Sequence, residues 1–418
     1  MIISLLALTL VQPPPAPASP PLDWATLEAP VLRNHRQLTF PDRFVKAGEN
    51  YFSPDGRWII FQAIEVPEKG KEPDPYYSMF VARLESGTLA DLTKVSPSGS
   101  ANTCGWFHPQ FPTTPEVIFG STLVPPKEEA RSGYQRGTSR YRWAFPSEME
   151  IVRVNLAATA GRPGALLTAE PIFTRPNYDA ECSFDPTGRF LLYAHIESPS
   201  TPAGAAKPAE GTPAGAGHDE APHKPDANLY IFDMVTKKDY PIVVAPGYDG
   251  GPFFSPDGQW ICYRSDRRGN DELQLFVAKL AFTQAGEGTM IPTGIDAEYM
   301  ITDNAHVNWC PYFHPSGNFL VYGTSEVGHQ NYEVFAIDLD EKKLAAARAG
   351  QKGPGTIKVE GLQHRRVTQA DGADVLPAFS PDGKRMLWCS QRGTKLASEP
   401  RPSSQVWIAE WVDTATKE

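Results

Sequence analysis

The chain has 418 residues, 41% of them hydrophobic and 11% aromatic, and a formal net charge of −10. That length can bury a large core, and an acidic balance without a Lys/Arg stripe excludes a phosphate-backbone binder, so no nucleic-acid partner is expected. Frequent proline (41) and glycine (34) suit many short strands joined by tight turns.

Met1–Val11 is apolar and leads into a Pro/Ala run that ends at Pro21. An apolar stretch followed by small residues reads as an export signal, although no Lys or Arg precedes it. It is too short for an ordinary membrane span, so no integral membrane segment is expected. Residues 1–21 are therefore read as a signal peptide with a Pro/Ala segment, and the protein as periplasmic or secreted. The strand-like stretch Arg36-Gln-Leu-Thr39 follows and stands apart from what comes next.

A Phe-x-Pro core then recurs at Phe52-Ser-Pro54, Phe107-His-Pro109, Phe184-Asp-Pro186, Phe254-Ser-Pro256, Phe313-His-Pro315 and Phe379-Ser-Pro381. Five copies close with Gly56, Gly188, Gly258, Gly317 or Gly383; in the second, Gln110 to Glu116 replace the short turn. Proline presets φ at one corner of a turn and glycine takes the positive φ that closes it. Each motif thus joins two antiparallel strands. Seven positions after each regular proline stands an aromatic: Phe61, Tyr193, Tyr263, Tyr322 or Trp388. The apolar runs around them suit strands covered on both faces.

Third strands are predicted at Met79–Ala82, Glu150–Val154, Leu229–Phe232, Leu275–Ala278, Val334–Ile337 and Val406–Ala409. Fourth strands are predicted at Asp91–Thr93, Leu166–Thr168, Tyr240–Ile242 and Arg366–Thr368, with a faint one near Met290-Ile291. Four antiparallel strands in each of six units predict an all-β, six-bladed β-propeller over residues 32–412. The last unit has too little chain after Trp407 for its fourth strand. Arg36–Thr39 matches the missing strand in type, and its pairing there closes the ring and removes two sheet edges.

At this point the stretch Phe254 to Val277, with its Phe-Ser-Pro-Asp-Gly and Tyr-Arg-Ser-Asp-Arg-Arg-Gly-Asn segments, resembles the TolB-like, or PD40, propeller repeat. The resemblance extends over residues 32 to 412. It implies the fold and leaves function open, because such propellers serve many roles. TolB itself carries an α/β domain before its propeller, for which the segment after Pro21 has no room. Related propellers accompany peptidase domains, but no Gly-x-Ser-x-Gly elbow is present.

Three insertions interrupt the pattern. Pro125 to Pro146 is rich in Arg and aromatic residues; Arg136, Tyr141 and Trp143 are its candidates for contacting a partner. Ser198 to Ala227 is Pro/Ala/Gly-rich and is expected to be disordered. Glu341 to Gly355 is expected to hold one or two helical turns. The five cysteines fit neither a zinc spacing nor a disulfide framework and read as buried thiols. His108 and His314, just before a motif proline, read as turn caps.

Propeller ligands sit where loops converge at a channel mouth. Seven positions before each motif proline stand Ala47, Asn102, Asp179, Asp249, Asn308 and Asp374; Glu181 and His306 lie close by. Read functionally, this is a ring of oxygen ligands suited to Ca²⁺ or to a cationic or sugar ligand, with Asp179, Asp249 and His306 as metal candidates. Read structurally, each Asp or Asn caps the loop that enters the innermost strand. No cofactor beyond such a divalent cation is suggested. The expectation is a monomeric, non-catalytic binding scaffold for a protein or carbohydrate. The alternative is a metal-assisted carbohydrate lyase or hydrolase at the channel mouth.

Overall fold

The structure, a computed structural model, describes residues 23–127, 133–135, 140–142, 145–159, 167–197, 226–270, 272–286, 289–351 and 355–412. The segment 1–21 expected to be an export signal, most of the Ser198–Ala227 insertion, Arg136 and Trp143 lie outside these residues, and Tyr141 is described only as part of a short hairpin.

Six sheets form the six blades, each with four antiparallel strands; blade 4 adds a fifth short strand, Ile357–Lys358, that pairs parallel to its fourth. The innermost strands are Phe44–Phe52, Asn102–Phe107, Asp179–Phe184, Asp249–Phe254, Asn308–Phe313 and Asp374–Phe379. Each is followed outward by a second and a third strand, as the Phe-x-Pro spacing predicts. The last blade takes its outer strand from the N-terminus: Leu32–Gln37 pairs antiparallel with Gln405–Trp411, with Leu32 opposite Trp411. The predicted closure is thus present, two to four residues earlier than Arg36–Thr39.

The turn chemistry matches the motif. Gly56, Gly188, Gly258, Gly317 and Gly383 all have positive φ, between 67° and 76°. The residue between Phe and Pro caps its turn. Ser53 Oγ donates to Asp55, and the Trp58 amide donates to Ser53 Oγ. His108 Nδ1 accepts from the Gln110 amide, and His314 Nδ1 from the Ser316 amide. Phe61, Tyr193, Tyr263, Tyr322 and Trp388 are at most 1% exposed. They anchor the apolar layers between neighbouring blades.

Four local expectations need correction. The outer strand of blade 2 is Ala169–Pro171 rather than Leu166–Thr168, and that of blade 5 is His364–Arg366. The faint strand of blade 4 is a twelve-residue strand, Thr289–Met300, paired along Gln274–Ala285. Its polar, Gly- and Pro-containing sequence shows no clean alternation because two register shifts interrupt the pairing and few residues of its first half are buried. The Glu341–Gly350 helix spans ten residues, with Asp340 capping the amides of Lys342 and Lys343.

Ring closure has a buried ionic anchor. Glu28, 1% exposed, accepts from Arg392 at 2.9 and 3.0 Å and from the Gln369 amide, and lies 2.7 Å from His35. Trp24 covers the Arg392 guanidinium at 4.4 Å. Leu32 is fully buried in the apolar layer containing Trp411 and Phe379, whereas nearby Leu27 is 49% exposed. Leu32→Ala will cost about 2–5 kcal/mol of stability by denaturant unfolding, and Leu27→Ala less than about 0.5 kcal/mol.

Candidate functional site at the loop-bearing mouth

Each innermost strand carries a bulge at one register, five residues before its motif proline. The residue there is left out of the pairing and takes a left-handed backbone. These residues are Glu49 (φ 41°), Cys104 (53°), Glu181 (57°), Gly251 (56°), Cys310 (48°) and Leu376 (56°). A bulge bends and twists its strand and re-aims the extra side chain. Side chains from different blades therefore meet around the axis at this level.

Two residues further along, four aromatics block the channel. Tyr51, Trp106, Phe253 and Tyr312 come from blades 1, 2, 4 and 5, with ring centroids 5.1 to 6.3 Å apart. Beyond this plug lies a cavity of ≈ 330 Å³ lined by the Phe-x-Pro turns of all six blades. The channel thus has two different ends. The polar side chains of the apolar bowl are spent on their own turns. The polar groups converge on the other side of the plug, where the innermost strands begin and the long loops arise.

The centre of that mouth is Glu181. It accepts from the Tyr248 hydroxyl at 2.6 Å, the Gly251 amide at 2.5 Å, Arg264 at 3.1 Å and the Tyr178 hydroxyl at 3.2 Å. Arg264 also donates to the Tyr248 hydroxyl at 2.7 Å and lies over the rings of Tyr248 and Trp309. Blade 4 makes room with two glycines. A Cβ on Gly250 would sit 2.1 Å from the Tyr248 oxygen, and one on Gly251 would sit 1.9 Å from an Arg264 nitrogen. Burial opposes the charge of Arg264, but Tyr248 and Glu181 more than offset it. Burial and the Glu181 charge keep both tyrosines protonated, so they serve as donors.

Glu49 forms a second carboxylate pocket. It accepts from the Cys104 thiol at 2.9 Å and the Thr103 hydroxyl at 3.1 Å, with the Cys104 amide at 3.4 Å. Burial raises its pKa, opposed mainly by the Cys104 hydrogen bond and Arg264. Glu49 and Cys104 keep part of their surface open to the lumen, while Glu181 and Arg264 are 5% and 7% exposed. Burial followed by the Glu49 and Glu181 charges holds the Cys104 thiol protonated, so it is a donor and not a nucleophile. The other four cysteines are buried free thiols.

The Asp/Asn register lies two residues before the bulge, in the seams between strands and blades. Asp179 accepts from Arg175 at 2.9 Å and lies 2.9 Å from His195. Asp249 is held by Arg267 at 2.9 Å. Asp374 is held by Arg392 at 2.6 Å and by the Trp388 indole at 3.2 Å. Asn102 donates to the carbonyls of Tyr77 and Ser100, and Asn308 bonds Asn304, Gln274 and Thr324. Each thus has its own partners, and Glu181 is the candidate that the bulge carries into the central cluster. His306 lies in the preceding loop, where its backbone bonds Asn304 and Gln274. Asp179, Asp249 and His306 share no hydrogen bond or ion pair among the described residues. No group of three or more His, Cys, Asp or Glu side chains that could hold a metal ion occurs among the described residues.

Arg264 and Cys104 were absent from the candidates. The signal that locates them is the register five before the motif proline, together with the Gly250-Gly251 pair that leaves a gap for a long side chain. The Pro125–Pro146 insertion also reaches the mouth: at its end, Phe145 packs edge-on to Tyr178 at 5.0 Å and against Tyr248 at 5.7 Å.

Gly251→Ala will displace Arg264 and strain the backbone, lowering stability by about 1–3 kcal/mol, with a loss of near-UV dichroism from Tyr248. Asp249 gives a pH test. Burial raises its pKa to about 6 against the opposing pull of Arg267. A raised carboxyl contributes stability below its ordinary range near 4, and that contribution is lost as pH rises through about 6. The melting temperature of Asp249→Asn relative to the parent will therefore move upward between pH 4.5 and pH 7.5.

No family model matches the chain. An uncharacterized protein of Agrobacterium fabrum, Atu1656, is 27% identical over 95 residues, which is 23% of this chain and 27% of that protein. Among solved structures, TolB from Acinetobacter baumannii is similar at 14% identity and a TM-score of 0.46, over 86% of this chain and 65% of that one. An oligogalacturonate lyase from Vibrio parahaemolyticus is similar at 12% identity and a TM-score of 0.45, over 91% of this chain and 97% of the lyase. The Cps50 (Swd1) β-propeller domain of Myceliophteria thermophila is similar at 10% and 0.46, over 91% and 98%. Likenesses at this level say nothing of ligand or activity. The six-bladed ring stands on the strand topology, and TolB is one of the proteins to which this chain is similar.

Proposed function

We propose that the chain is an exported, non-catalytic binding propeller that takes a protein partner on its loop-bearing face, with the Glu181–Arg264 centre at the axis. The observation that carries this reading is the central cluster itself. A carboxylate and a guanidinium are built into the mouth with two tyrosine hydroxyls and a backbone amide, on the face where the insertions of blades 2 and 3 arise. Such convergent polar groups, held by a rigid scaffold among loops, are what a recognition site requires.

The distribution of exposed apolar side chains supports a protein rather than a sugar. Phe40, Val66, Val124, Val244, Val327 and Leu396 are 39% to 65% exposed, and all lie on loops of this face. They come from around the ring and surround the mouth. Exposed apolar groups rimming a polar centre mark a protein-contacting surface. The lyase alternative needs a metal and an acid/base; Asp179, Asp249 and Asp374 are each held by an arginine, which favours a structural role for them.

Removing Arg264 alone would leave Glu181 buried and uncompensated, at about 3–5 kcal/mol. The informative variant is therefore Arg264→Met with Glu181→Gln, which removes both charges together. Captured on a surface and exposed to a displayed peptide library, the parent will enrich binders. The double variant, with its fold verified by dichroism, will lose them by at least about tenfold. Equal binding by the two would place the site elsewhere.

A further inference from the structure

Eight residues before the motif proline, the six innermost strands or the loops leading into them carry Lys46, Ala101, Tyr178, Tyr248, Val307 and Ala373. Tyr178 and Tyr248 turn inward at this level to bond Glu181. Lys46 holds their place in blade 1. It is half-buried, and its ammonium lies 4.5 Å from the centroid of the Tyr77 ring. That ring contact is its partner among the described residues, where no acidic side chain pairs with it. Arg264, by contrast, is matched by Glu181.

We infer that Lys46 receives a carboxylate of the protein partner at the rim of the mouth, an Asp or Glu side chain or a chain terminus. The inference rests on the proposed loop-face site and adds the chemistry of what enters it.

Three observations support it. First, a half-buried ammonium without an anion is costly, and an incoming carboxylate offsets that cost. Burial lowers the Lys46 pKa. Second, the carboxylate three residues on is already engaged, since Glu49 is turned to Thr103 and Cys104 of blade 2. Third, the site is open to a partner. Val66 is 43% exposed on the same blade-1 loop that carries Tyr77, the ring on which the amine rests, so that loop offers a surface to a partner chain. A cation stacked on an aromatic face also keeps its direction fixed, which favours a placed anion over diffuse attraction.

The test uses the full chain and an array of peptides, each present as an Asp/Glu free-acid form and as its Asn/Gln, C-terminally amidated counterpart. The parent is expected to prefer the acid forms. Lys46→Gln is expected to lose that preference by at least about tenfold, and Lys46→Arg to keep it. The melting temperature of Lys46→Gln should not fall, because the ammonium has no acidic partner to lose. An unchanged acid preference in Lys46→Gln overturns the inference, as does a parent without any preference. Either result leaves the loop-face reading standing if binding is still lost in the Arg264→Met/Glu181→Gln variant. A small diacid such as glutarate binding as tightly as the peptides would overturn the assignment to a protein.

Discussion

The structure turns on one backbone constraint, a bulge repeated at the same register in all six innermost strands. An unpaired residue in left-handed conformation costs about 1–3 kcal/mol when it is not glycine, and five of the six are not. The surrounding blades over-determine it. The strand on either side of the bulge keeps its pairing, and the motif Phe and the strand-two aromatic lock the blade below. What results is a ring of positions whose side chains are aimed by the backbone rather than by rotamer choice. Glu49, Cys104 and Glu181 owe their meeting to that ring.

The pseudo-symmetry of the repeat is broken at this level, and the site arises from the breaking. Blades 5 and 6 supply Cys310 and Leu376, and blade 4 supplies glycine. Room vacated at Gly250-Gly251 is filled by Tyr248 and Arg264 from the same blade. An acidic residue from blade 3 then meets a cation from blade 4 in an enclosed polar pocket. Two residues before the bulge a different logic holds. There Asp249 and Asp374 each pair with an arginine of their own blade eighteen positions on, Arg267 and Arg392, so that blades 4 and 6 carry buried ion pairs of their own.

The repeat, the blade count and the closing strand were legible because their physics is local: a Pro-x-Gly turn, an apolar run of strand length, and a strand surplus at one end matching a deficit at the other. The Asp/Asn register was legible as a position but not as a role. Capping and channel lining leave the same residue types in the sequence, and the difference lies in which face of a bulged strand the residue occupies. A bulge at Glu49, Cys104 or Leu376 has no composition signal, since only Gly251 is the residue type that left-handed backbone favours. Arg264 was hidden for another reason. It belongs to the second strand, inside a segment that reads as ordinary repeat, and it reaches the axis only because two glycines stand opposite. The long fourth strand of blade 4 escaped because two register shifts break its alternation and few residues of its first half are buried.

The most direct measurement is amide hydrogen exchange of the full chain with and without a bound partner. The account predicts protection at Thr103-Cys104, at Gly250-Gly251 and along the blade-1 loop from Val66 to Tyr77. Protection confined instead to the Phe-x-Pro turns around Pro54, Pro256 and Pro315 would place binding in the apolar bowl at the opposite end and contradict it.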